Sequence, residues 1–229
     1  MTTHPTPKIS LIVIHWNQED LTTETILSLK RIDYPNYEII LVDNGSDDNS
    51  GAVLDARFPD VHMIRSTVNL GYAGGANLGM AEALDRGADY VFVLNNDIEV
   101  DPNILNHLTL AMTSPEFPRA GMAAPVIYFY DPGHVVWYGG GDCDAETGIV
   151  RHRDFGKADK DIDHHTTPCT FVNGCAMLIK REVLETVGLF DTSYFHTGED
   201  VDYSIRVNRA GYTSLVAPRA KLWHSPRFS

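Results

Sequence analysis

Apolar positions come in blocks along the first half of the chain, and the blocks alternate between two periods. Residues 8–15 (KISLIVIH) are a continuous apolar, β-branched run, the pattern of a strand buried on both faces. Residues 19–32 switch to helical spacing, with Leu21, Thr25, Leu29 and Ile32 on one stripe. Residues 37–42 (YEIILV) and 90–94 (YVFVL) are further buried strands, and 61–65 is a shorter one. Helices are predicted over 49–58, over the Ala-rich stretch 71–86, and over 101–113 with Pro102 in its first turn.

This strand–helix alternation predicts an α/β fold with a doubly wound, mostly parallel sheet. In such sheets ligands bind in the crevice beyond the strand C-termini. The polar clusters at residues 15–17, 43–46 and 95–97 all follow predicted strands, so all three fall on that edge. From about Gly121 the rhythm changes. Residues 121–130 and 135–138 read as strands around the turn Asp131-Pro132-Gly133. Residues 139–141 and 151–165 read as loops, the latter mobile because it is rich in charge and His. A strand at 170–180, helices at 181–186 and 199–210, and a strand at 213–217 complete the chain. The second part is expected to extend the same sheet with a small antiparallel region. One domain, 1–229, is expected, with a nucleotide-binding part at about 8–115 and a catalytic, acceptor-side part at about 120–224.

Charge narrows the partners. The 229 residues carry 18 Lys and Arg against 31 Asp and Glu, a net charge of −13. A surface that acidic repels a polyphosphate, which argues against nucleic acid. A phosphate ligand would need local backbone donors or a cation. The three cysteines, Cys143, Cys169 and Cys175, form no CxxC pair and read as small thiols of a reducing compartment. No apolar run approaches the roughly 18 residues of a spanning helix, and Met1–Pro7 has no signal-peptide character. A soluble, cytoplasmic chain is expected, compatible with peripheral attachment at the inner face of a membrane. It stops soon after His224, as a piece of something longer would.

Several motifs carry chemistry. Asn95-Asn96-Asp97 closes a buried strand. A carboxylate there suits Mg²⁺ or Mn²⁺, which complete their shells with substrate phosphates and water, and a neighbouring Asn can bond a ribose hydroxyl. The alternative is a plain turn of good turn formers. Asp43 can accept the N–H of a pyrimidine base or simply close an Asx-turn, and both can hold together. The Gly-rich segment 69–77 is neither a Walker loop nor GxGxxG. It brings backbone N–H groups near a nucleotide, or packs a helix tightly. Glu199, Asp200 and Asp202 head a helix, where acids favour the dipole. One of them can also act as a general base. Arg206 is spaced to pair with Asp202, leaving Glu199 or Asp200 for chemistry. His224 becomes a metal ligand only if the chain returns to the Asp97 edge. His15 and His196 have no assigned role, and His164-His165 belongs on a solvated loop.

Taken together, seven segments resemble, in order, the family 2 inverting glycosyltransferases of the GT-A fold, especially their bacterial rhamnosyltransferase-like branch. They are ISLIVIHWN, YEIILVDNGSDD, NLGYAGGANLGM, YVFVLNNDIEVDP, FVNGCAMLIKREVLETVGLFD, HTGEDVDYSIRVNRAGY and APRAKLWH, spanning Ile9 to His224. The resemblance implies a nucleotide-diphosphate-sugar donor, with dTDP-rhamnose favoured over UDP-hexoses and UDP-galactofuranose. It implies a glycan or lipid-linked glycan acceptor on the path to a surface polysaccharide. Asp43 resembles the base-recognising acid and Asn95-Asn96-Asp97 the DxD motif, with Asn95 replacing its first acid. Asp97 and His224 are then the ligands of Mg²⁺ or Mn²⁺. Asn17, Asn69, Gly71, Gly75, Asn96 and Gly174 join the donor-contacting set. Asp200 of the ED pair is similar to the catalytic base, with Glu199 beside it. The length then matches one catalytic domain, any anchor or partner domain lying outside it. A sugar-phosphate nucleotidylyltransferase is a rival, but Asn17-Gln18-Glu19 replaces its basic Gly-rich loop. A non-catalytic sugar-binding module is another, opposed by the joint presence of Asp97, Asp200 and His224.

Overall fold

The computed structural model describes residues 6–225; the first five residues of the Met1–Pro7 reading lie outside them. The chain order begins β1 (Ile9–His15), α1 (Glu19–Leu29), β2 (Tyr37–Asn44), α2 (Ser50–Arg57), β3 (His62–Ser66), α3 (Gly71–Asp85) and β4 (Tyr90–Leu94). It continues with β5 (Ile98–Val100), α4 (Ile104–Met112), β6 (Ala120–Phe129), β7 (Val136–Tyr138), β8 (Gly141–Cys143) and β9 (Val150–His152). Last come β10 (Thr167–Cys169), β11 (Ala176–Lys180), α5 (Arg181–Val187), α6 (Glu199–Arg209) and β12 (Thr213–His224).

One sheet runs through both parts, in the order β10-β12-β6-β11-β4-β1-β2-β3. Strands β3, β2, β1 and β4 pair in parallel. All seven residues of β1 and all five of β4 are buried, which is why their sequences are apolar without alternation. The C-terminal part extends this sheet beyond β4, as expected. Strand β11 inserts between β4 and β6 and runs against both, while β12 pairs in parallel with β6.

Three local readings change. The predicted strand at 170–180 begins only at Ala176, because an Asx-type bond from the Cys175 N–H to Asn173 Oδ1 (2.9 Å) turns the preceding chain out of the sheet. The last strand does not stop before Pro218. A register shift between Ala217 and Lys221 absorbs the proline, and pairing resumes as far as His224. Segment 151–165, read as mobile, is pinned: Asp159 accepts from Tyr128 Oη and pairs with Lys221 Nζ (2.8 Å).

Helix α3 shows what its glycines do. A Cβ on Gly79 would stand 2.4 Å from Ile12 Cγ2 and 3.1 Å from Val42 Cγ2. Gly79→Ala should therefore lift α3 off the sheet. The strain of an overpacked core, about 1–3 kcal/mol, outweighs the gain of up to about 1 kcal/mol in helix propensity. A lowered urea midpoint is expected; an unchanged one would mean that the packing yields at no cost.

Candidate active site

The C-terminal ends of β1, β2 and β4 open on a cleft of about 440 Å³. Its walls include Trp16, Gln18, Asn44, Asn69, Gly71 and Tyr72 on one side and Asn95, Asn96 and Asp97 on another, with Phe195 and His196 completing it. The three polar clusters expected at the strand ends thus share one edge.

Asp97 meets His224 because β12 returns to pair with β5, placing His224 opposite Ile98. The Ser225 N–H donates to the Asp97 carbonyl (2.9 Å) and fixes the approach. Asp97 Oδ1 and His224 Nε2 stand 3.1 Å apart. Close as they are, they are not aligned as a hydrogen bond, and the buried Nε2 has no hydrogen-bond partner. Two lone-pair donors converge without satisfying each other, which fits a shared cation. Among the described residues no group of three or more His, Cys, Asp or Glu forms a metal cage. A site with one carboxylate and one imidazole suits an ion that takes its other ligands from phosphate and water.

Asp200 stands on the first turn of α6. The Gly174 N–H donates to its Oδ2 (2.9 Å) and the Val201 N–H to its Oδ1 (2.8 Å). Burial raises the Asp200 carboxyl above the usual range, and these two N–H groups offset part of the rise. Glu199 is 5% exposed, and its Oε2 has no partner. Its carboxyl is raised first by burial, with the Asp200 charge adding to it. Arg206 Nε donates to Asp202 Oδ2 (2.7 Å), as the spacing predicted. Tyr72 joins the cleft to this carboxylate pair: its Oη donates to the Gly174 carbonyl (2.6 Å). Burial, with the nearby Cys175, Glu199, Asp200 and Asp97, holds the Tyr72 phenol well above its ordinary value.

Asn69 and Gly71 lie on the cleft wall and are braced from below. The Gly71 N–H donates to Asn69 Oδ1 (2.8 Å), and Asn44 Nδ2 donates to the Gly71 carbonyl (3.0 Å). Gly71 has φ +72°, and a Cβ there would meet the Phe195 carbonyl at 2.2 Å. The Tyr72 N–H donates to that carbonyl (2.8 Å). Gly71→Ala should thus cost about 1–2 kcal/mol of backbone strain and break the contact between the 69–72 and 195–197 segments. Heat denaturation and nucleotide affinity should both report it; a variant matching the parent in both would show that the contact is dispensable.

Two expected donor contacts, at Gly75 and Asn17, sit off the cleft wall, and Asp43 lies at the end of β2. Gly75 faces Asn44 and Ile14, where a Cβ would come within 3.1 Å, so its role in the geometry is helix packing. Asn17, at φ +54°, is turned to the neighbouring loop. Its Nδ2 donates to Asp47 Oδ1 (2.7 Å), and the Asp47 N–H donates back to its Oδ1 (3.0 Å). Asp43 closes the anticipated Asx-turn, accepting from the Ser46 N–H (3.0 Å), and its Oδ2 lies against Gly51 of α2. Trp16, Gln18, Asn44 and Tyr72 escaped the sequence reading. The available signal was their neighbourhood: Trp16 and Asn44 fall inside the polar clusters at strand ends, and Tyr72 inside the Gly-rich segment.

His15 is fully buried. Its Nδ1 bonds Thr22 Oγ1 and its Nε2 bonds Ser50 Oγ, each at 2.7 Å. Burial lowers its pKa, with Asp43 and Asp48 opposing.

The sequence pattern of the Glycosyl transferase family 2 matches residues 10–188. The chain belongs to that family. This glycosyltransferase is 28% identical to the N-acetylglucosaminyl-diphospho-decaprenol L-rhamnosyltransferase of Mycobacterium tuberculosis, over 81% of its own length and 66% of the relative's. It is 27% identical to the O-antigen biosynthesis protein RfbC of Myxococcus xanthus, covering 96% of the chain but 17% of that protein. The chain thus spans less than two thirds of either relative. Among solved structures, GalNAc-T7 with UDP, GalNAc and Mn²⁺ superposes with a TM-score of 0.77 at 17% identity, over 97% of this chain and 44% of that one. The mannosyltransferase PcManGT of Pyrobaculum calidifontis, with GDP-Man and Mn²⁺, gives 0.69 at 18% identity, over 97% and 58%. The glycosyltransferase therefore has the GT-A fold. No helix among its described residues is long and apolar enough to cross a membrane.

Proposed function

We propose that this glycosyltransferase moves a sugar from a nucleoside-diphosphate donor to an acceptor hydroxyl with inversion, and that it needs Mg²⁺ or Mn²⁺. The observation that carries the reading is the unsatisfied His224 Nε2 beside Asp97 Oδ1 (3.1 Å) at the end of the cleft. These two residues would hold the cation. A divalent ion there supplies the positive charge that the diphosphate leaving group develops against. It also offsets the chain's own net charge of −13.

Asp200 takes the proton of the acceptor hydroxyl. The hydroxyl oxygen forms a bond to the anomeric carbon as the bond from that carbon to the diphosphate oxygen breaks. The nucleoside diphosphate leaves with that electron pair. One base suffices, and no covalent intermediate forms. Asn69, Gly71, Asn95 and Asn96 line the donor cleft, and Asp43 recognises the base. Both parts of the chain act as one catalytic unit, since a single sheet runs through them.

The similarity to a rhamnosyltransferase favours dTDP-rhamnose as donor and a lipid-linked glycan as acceptor, at the cytoplasmic face of a membrane. Titrating UDP or dTDP with and without Mn²⁺ tests the core of the proposal. A rise in melting temperature with the metal, and binding much tighter with it than without it, are expected. No binding and no shift for either nucleotide would overturn it. A screen of nucleotide sugars for metal-dependent hydrolysis then identifies the donor, with dTDP-rhamnose expected to turn over fastest.

A further inference from the structure

The buried histidine of β1 belongs to an unbroken chain of hydrogen bonds from the α2 N-terminus to the cleft. Ser50 Oγ bonds Asp48 Oδ1 and His15 Nε2. His15 Nδ1 bonds Thr22 Oγ1. Asn96 Nδ2 donates to Thr22 Oγ1 (3.0 Å) and to Gln18 Oε1 (3.3 Å). Ser50 is 2% exposed, and His15 and Thr22 are fully buried.

Full burial of His15 disfavours its charged form, and the donor inventory then fixes the direction of every link. Asp48 is a carboxylate and can only accept, so the single Ser50 proton goes to it. Ser50 Oγ must then accept from His15, which places a proton on Nε2. A neutral imidazole has a bare Nδ1, which accepts the Thr22 proton. Thr22 Oγ1 in turn accepts from the Asn96 amide. Gln18 takes the other amide hydrogen. Both hydrogens of Asn96 are thereby spent on the protein, and its carbonyl oxygen is the end left for the cleft that Asn96 lines.

We infer that His15 is a positioning residue which, through Thr22, fixes the Asn96 amide so that an acceptor rather than a donor faces the bound nucleotide. A ribose hydroxyl arriving there finds an oriented acceptor. Without His15, Thr22 can turn its proton towards Asn96, and the amide is free to flip and offer its NH₂ instead. This rests on the donor reading above for its ligand, but the internal geometry stands apart from it.

Two measurements test the inference. The first is ¹⁵N NMR of the His15 ring in the unmodified protein near neutral pH. The Nε2–H neutral tautomer is expected; an Nδ1–H tautomer or an imidazolium would overturn the proposed direction. The second is UDP affinity in Mn²⁺ for His15→Phe, Asn96→Ala and the double variant. Loss of one oriented hydrogen bond should weaken each single variant about tenfold. The double variant should be no weaker than Asn96→Ala alone, because His15 acts through Asn96. An additive loss of about a hundredfold would sink the coupling. Should His15→Phe not fold, Thr22→Val removes the same link with little change of shape and takes its place in the cycle. If UDP fails to bind the unmodified protein, the donor reading falls, while the tautomer still decides the direction of the network.

Discussion

Asp200→Asn should abolish turnover, lowering kcat by about 10²–10⁴, while leaving nucleotide affinity in Mn²⁺ near that of the parent. The reasoning is geometric. Both oxygens of Asp200 are held by backbone N–H groups, from Gly174 and Val201. Its carboxylate is therefore oriented before an acceptor arrives. Glu199 lacks this: its Oε2 is buried with no partner. Asparagine keeps the shape but has no basic oxygen to take a proton. The pH profile gives a second signature. Burial raises the Asp200 carboxyl, and the base must be ionised to work. Activity should thus fall as pH drops, with a midpoint above the ordinary carboxylate range. That limb should vanish from whatever residual rate Asp200→Asn retains. Turnover that survives the substitution undiminished would transfer the role to Glu199, and Glu199→Gln would then carry the loss.

The parallel half was legible because its signals are local. Strands β1 and β4 are buried on both faces, so their sequences are apolar without interruption. The second half was harder to read because its boundaries depend on remote partners. Residues 170–180 look like one strand, yet Asn173 turns the chain so that Gly174 can meet Asp200. Pro218 looks like a stop, yet a bulge carries β12 on to His224. The site shows the same division. Asp97 and Asp200 are marked by their place at a strand end and a helix start. Gly75 and Asn17 have the right residue types nearby, but packing against Asn44 and bonding to Asp47 take them off the cleft wall. His15 is the reverse case. Its sequence context is an ordinary strand terminus, and only the folded arrangement brings Thr22, Ser50 and Asn96 around it.

Asp97→Ala should remove the metal dependence of nucleotide binding, which separates loss of a cation ligand from general damage. On the proposed reading, one carboxylate and one imidazole would hold the cation through which the parent binds UDP in Mn²⁺. Deleting the carboxylate removes the charged ligand, so affinity should fall by more than about 100-fold, beyond the 10–100-fold typical of losing an outer-sphere partner. His224→Ala leaves the charge in place and should cost less. The sign reverses when the metal is chelated. Without a cation the Asp97 carboxylate faces the diphosphate with like charge and repels it. Asp97→Ala should then bind UDP as well as the parent, or better. Isothermal titrations of both proteins, with Mn²⁺ and with EDTA, yield four affinities whose order is fixed in advance. A variant weaker than the parent by the same factor in both buffers would mean that Asp97 shapes the cleft and does not hold the ion.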